Sequence, residues 1–178
     1  MIKRKMFVLS IVFLLFCGNV YAMGAYSGST QTLQSFKTRF NAVRNDGSVP
    51  DMCKGTYAAS AYSLRVYKSR LNEIQNDRSV PDFFWGNYAG SKHPLGLFKN
   101  RLNEAKNDGS IPDDYWGNYA GSVNSLQTFK TKLNEVQKDG SIPDKYWGNY
   151  AGSTNALQIY KRKFDEVQKD GSIPEFFW

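Results

Sequence analysis

The chain has 178 residues, of which 23 are Lys or Arg and 16 are Asp or Glu, giving a formal net charge of +7. The excess is modest and lacks the dense basic runs of a nucleic-acid arm, which argues against nucleic acid as a partner. Two cysteines and one histidine exclude both a disulfide-rich scaffold and a Cys/His zinc site.

Residues 1–22 read as a cleavable signal peptide. Lys3, Arg4 and Lys5 precede the apolar run MFVLSIVFLLFC, which is short for a membrane span, and Val20-Tyr21-Ala22 supplies a cleavage pattern. A lipid anchor on Cys17 is disfavoured, because Phe16 stands where a small residue is wanted. The expected mature protein is bacterial in style and exported, to the periplasm or the exterior. It carries 20 basic and 16 acidic residues after loss of the three leader cations, and no second hydrophobic run. With Cys53 its one thiol, stability has to come from packing.

From residue 23 onward the chain repeats. Prolines 50, 81, 112, 143 and 174 and tryptophans 85, 116, 147 and 178 each recur every 31 residues. Residues 116–146 and 147–177 are identical at 21 of 31 positions. The domain 23–178 divides into units 23–53, 54–84, 85–115, 116–146 and 147–177, with Trp178 opening an unfinished one. A period of this length predicts a solenoid-like array.

Within a unit, Leu126, Phe129, Leu133 and Val136 make the apolar stripe of an amphipathic helix. Ser122 is its expected N-cap and Gly140 its stop, with Arg78 the exception among the equivalent glycines. Then SIPD, with Ser141 and Asp144 spaced as a capping box, opens a short helix through Tyr146 and Tyr150 to Gly152. The predicted fold is therefore all-α: a short helical-hairpin repeat array of five units, each a long helix followed by a short one. The competing reading places a strand at YWGNYA in an α/β solenoid. The all-α layout resembles tetratricopeptide-type repeats, but neither the 31-residue period nor the SIPDxYWGNYAGS joint matches their signature, so the likeness implies nothing about function.

Three sets of residues are candidate sites. Lys37, Lys68, Lys99, Lys130 and Lys161 form one basic row, and Arg39, Arg70, Arg101, Lys132 and Lys163 a second. Stacked units would align them into ladders able to hold an anionic polymer. The competing reading places them beside the apolar stripe, with stems covering the core margin and Glu73, Glu104, Glu135 and Glu166 as i,i+3 partners. Trp85, Trp116 and Trp147, with Asn87, Asn118 and Asn149, could form a glycan ladder; the alternative is inter-unit core. Phe176, Phe177 and Trp178 form an uncapped end that could join a partner or a second copy; the alternative folds the last helix back over its own unit.

No pattern for catalysis, metal or cofactor emerges. Cys53 occupies the slot of Phe84, Tyr115, Tyr146 and Phe177, which makes it buried filler. The expectation is a non-catalytic, exported binding or scaffold protein of the cell envelope or exterior. Its partner would be a protein or an envelope polymer, and it would need no cofactor. Alternatives are a polysaccharide or anionic-polymer binder, and a structural protein self-assembling through its C-terminal end. An open array further predicts that deleting residues 116–146 leaves a folded chain that melts somewhat lower, as circular dichroism would show.

Overall fold

The computed structural model describes residues 25–178; the leader expected over residues 1–22 lies outside them. The described residues are helical throughout, with no strand, so YWGNYA is not a strand. Five short helices alternate with five long ones: α1 (Ala25–Gly28), α2 (Leu33–Arg44), α3 (Asp51–Ala59), α4 (Leu64–Asp77), α5 (Trp85–Gly90), α6 (Leu95–Asp108), α7 (Trp116–Gly121), α8 (Leu126–Asp139), α9 (Trp147–Gly152) and α10 (Leu157–Asp170). Single 3₁₀ turns at Asp82–Phe84, Asp113–Tyr115, Asp144–Tyr146 and Glu175–Phe177 follow the last four long helices. No helix among the described residues is long and apolar enough to cross a membrane.

The long helices form because their apolar stripe recurs at helical spacing, and that stripe is what they bury. Phe129, Leu133 and Val136 are buried in α8, and Tyr160, Phe164 and Val167 in α10. Each long helix packs on the short helix that follows it, and the short helices pack on one another in sequence. The order does not stop at the ends. Helix α1 packs on α9 and on α10, so the array closes into a ring with the short helices inside and the long helices outside.

The closure keeps register. Tyr26 donates to Glu166 across 140 residues, whereas Tyr88, Tyr119 and Tyr150 make the same bond across 15. Lys37 reaches Asp170 across 133 residues, whereas its counterparts reach back 22. In both cases the two separations add to 155, five periods of 31. Ser27 N–H donates to the Trp178 carbonyl, so α1 continues the short helix that Trp178 begins.

This arrangement corrects the expectation of an uncapped C-terminal end. Phe177 is buried, its ring 4.8 Å from that of Phe40. Phe176 and Trp178 pack on the cluster that joins the first and last units. The next short helix that these aromatics need is supplied by the N-terminal unit.

Three local expectations also change. The long helices start later than Ser122 suggests: Ser125 caps α8 by accepting from Thr128 N–H at 3.2 Å. Ser122 instead closes the preceding short helix, its hydroxyl donating to Tyr119 O. The SIPD capping box does not form. Ser141 turns back to the Asp139 carboxylate, and the 3₁₀ turn after Pro143 has no side-chain cap. At the ends of the long helices, Gly109, Gly140 and Gly171 adopt φ of 65–68°, and Arg78 adopts the same left-handed conformation at φ 57°. Gly47 does not, because α2 ends earlier, at Arg44.

Two outcomes are expected. Arg78→Gly should relieve a left-handed side chain and stabilise the ring by about 1 kcal/mol, raising Tm by about 2–4 °C. Deleting residues 116–146 should cost far more than one unit's share of stability, since four units cannot close at the curvature of five. Thermal melts of both variants check this.

Candidate functional site

The interior of each hairpin is organised around one tyrosine of the short helix: Tyr26, Tyr57, Tyr88, Tyr119 or Tyr150. Each is buried and meets an aromatic of the adjoining long helix edge-on, at ring-centroid distances of 5.3–5.5 Å. Over its other side lies a cation of the second basic row, 4.1–4.4 Å from the ring centre. That cation also donates to carbonyls left open where the short helix ends. Arg39 reaches Tyr57 O, Ala58 O and Tyr62 O, and Arg70 reaches Tyr88 O, Ala89 O and His93 O. Lys132 reaches Ser153 O and Asn155 O, and Lys163 reaches Ser29 O and Gln31 O across the closure. Burial pushes the Lys163 ammonium down to about 8 and lowers Lys132 in the same direction.

The second basic row is thus engaged inside the ring, and its expected glutamate partners are otherwise occupied. Glu73, Glu104, Glu135 and Glu166 accept from the hydroxyls of Tyr88, Tyr119, Tyr150 and Tyr26. Desolvation, then the bond to glutamate, pushes these phenols above their ordinary range.

The first basic row ties neighbouring long helices together. Lys37, Lys68, Lys99, Lys130 and Lys161 pair with Asp170, Asp46, Asp77, Asp108 and Asp139 at 2.8–3.1 Å. Each aspartate also accepts from the serine two residues on. Hydrogen bonds from serine and lysine hold all five carboxyls below the ordinary 3.8, with Asp46 and Asp170 at about 2.

The structure separates the tryptophans from the asparagines. Trp85, Trp116 and Trp147 lie half-buried between hydrophobic clusters, each Nε1–H donating to a carbonyl five residues back, at 2.8–3.0 Å. Asn87, Asn118 and Asn149 face the ring axis instead. With Ala25 and Thr56 in the same column they line a depression of about 190 Å³ to which all five units contribute, and no charged side chain reaches it. Asn149 accepts from the Tyr160 hydroxyl at 3.1 Å. Phe98 and Phe129 stand at the position of Tyr160, and the side-chain amides of Asn87 and Asn118 make no hydrogen bond to the described residues. Glycine is required here: a Cβ on Gly148 would meet Tyr115 Cδ1 at 2.5 Å, and one on Gly152 would meet the Asn118 carbonyl at 2.9 Å.

One functional column escapes sequence reasoning. Gln31, Tyr62, His93, Asn124 and Asn155 share a repeat position, and each reaches the carbonyl of the axial serine in the next unit. His93 is therefore an inter-unit tie, 2.6 Å from Ser122 O. Residue identity carries no signal for this column; only the 31-residue spacing does. Cys53 is buried, and desolvation pushes its thiol up to about 12, as suits filler. The described residues contain no group of three or more His, Cys, Asp or Glu placed to hold a metal.

The lowered aspartates set an acid limit. Their folded-state pKa lies below the unfolded value, so their contribution is complete above about pH 4 and is lost as pH falls toward 2. Helical signal followed from pH 5 to 2 should fall in that window, and Asp170→Asn, which weakens the closure, should shift the midpoint upward. Comparison of the chain with family models, with curated proteins and with solved structures returned no match.

Proposed function

We propose that this protein is a non-catalytic, exported binding module whose working surface is the axial depression. Its ligand is a neutral, hydroxyl-rich group such as a sugar unit of an envelope polysaccharide. The observation that carries the reading is the pair of unengaged amides. Asn87 and Asn118 present donors and acceptors to a pit to which no charged side chain contributes, in a molecule whose ten row cations are turned to internal partners. Half-buried amides without partners are costly unless water or a ligand satisfies them. An uncharged lining of amides, hydroxyls and backbone suits a ligand recognised by hydrogen bonds rather than by charge.

Export rests on the leader pattern of residues 1–22. The non-catalytic reading rests on the absence of any nucleophile–base or paired-carboxylate pattern in the sequence. The basic ladders do not enter the proposal, since their nitrogens already cap carbonyls and pair with aspartates. The tryptophan row does not enter it either, because it lies between the units.

Co-sedimentation with purified peptidoglycan and with lipopolysaccharide vesicles, each at low and high salt, tests the proposal. Salt-resistant binding to the glycan is expected. At about 1 kcal/mol per neutral hydrogen bond, Asn87→Ala with Asn118→Ala should weaken it about thirtyfold while leaving the melt unchanged. Binding that collapses with salt, or that survives both substitutions, would place the surface elsewhere.

A further inference from the structure

Four of the five junctions hold an indole in the same place. Trp85, Trp116, Trp147 and Trp178 donate to Val80 O, Ile111 O, Ile142 O and Ile173 O at 2.8–3.0 Å. Each packs beside its long helix, as Trp178 does against Phe164 at 6.0 Å. The fifth junction carries Lys54 at this position. A lysine stem is slimmer than an indole, and here a cleft of about 610 Å³ opens, walled by Phe40, Met52, Phe176 and Phe177. Lys54 itself lines this cleft with its stem largely buried, its ammonium donating to Arg44 O at 3.1 Å and pairing with Asp51 at 2.6 Å. The Val49 carbonyl, counterpart of Val80 O, receives no side-chain donor from the described residues. Arg44 lies on the rim, exposed, and its guanidinium makes no ion pair or hydrogen bond to the described residues.

We infer that this cleft binds a small indole carrying a carboxylate. The ring supplies the template: at every other junction the group that fills this position is an indole with its N–H on the equivalent carbonyl. Phe40, Phe177 and Met52 offer edge-on and sulfur contacts to a flat ring. The Arg44 guanidinium on the rim suits a carboxylate on the substituent. The site is separate from the axial depression, and binding here neither requires nor excludes the proposal made for that surface.

The experiment uses the full chain, with indole-3-acetate as titrant and cyclohexanecarboxylate as a non-planar acid without a donor. Both calorimetry and the ligand-induced shift in Tm are read. Saturable binding of indole-3-acetate, and about tenfold weaker binding of cyclohexanecarboxylate, are expected. Lys54→Trp should fill the cleft from within, raising Tm and abolishing the binding. The surface substitution Arg44→Ala, which leaves the fold intact, should weaken indole-3-acetate about tenfold but leave unsubstituted indole unchanged. The assignment is overturned if the wild-type chain shows no saturable binding, or if Lys54→Trp melts higher yet binds as before. A Trp-containing peptide that binds where indole-3-acetate does not would also overturn it, in favour of a protein docking site.

Discussion

The ring depends on one arrangement used five times: a cation reaching from the long helix, over a tyrosine face, to the open carbonyls at the end of the next short helix. The last carbonyls of a helix have no partner within it, and a six-residue helix can hardly bury them without one. The guanidinium or ammonium supplies that partner, neutralises the negative helix end and covers the aromatic ring. Desolvated contacts of this kind are individually worth about 1–3 kcal/mol. Their greater effect is geometric, since they fix the angle at which each short helix leaves its long one and hence the curvature of the whole array.

Around that fixed hairpin the junctions use chemistry of several grades. The Lys–Asp pairs are partly exposed and add little individually. The tie from residues 31, 62, 93, 124 and 155 needs only a donor of sufficient reach, so glutamine, tyrosine, histidine and asparagine all serve. Glycine at 55, 117 and 148 is demanded by the aromatic that rests on it. Positions where the neighbour arrives as backbone or ring tolerate nothing larger, whereas positions where a side chain reaches outward tolerate variety.

That gradation explains what could be read from residues alone. The period, the all-helical hairpins, the filler role of Cys53 and the left-handed turn at Gly140 follow from local pattern, and each is where the pattern put it. Cap positions slipped because two serines, Ser122 and Ser125, compete within three residues, and only the packed tyrosine carbonyl decides between them. Closure escaped the reading because nothing within one unit encodes it. It arises from the small rotation between units, repeated until the fifth meets the first. The asparagines were legible as a row but not as separate from the tryptophans, since two residues on a short helix diverge only once its axis is placed.

The ring also has a consequence for the order of events in folding. Between hairpins, the recurring hydrogen bonds and ion pairs join residues 15–30 apart, whereas the bonds at the closure span 126–151. Loop-closure entropy grows with the logarithm of the span, so bringing Lys37 to Asp170 costs about 1.6 kcal/mol more than bringing Lys161 to Asp139. Hairpins and internal junctions can form from local encounters, while the junction between α10 and α1 has to wait for the other four to set the arc. The last contact to form is also the first to open, which makes that junction the least protected part of the molecule against hydrogen exchange and proteolysis.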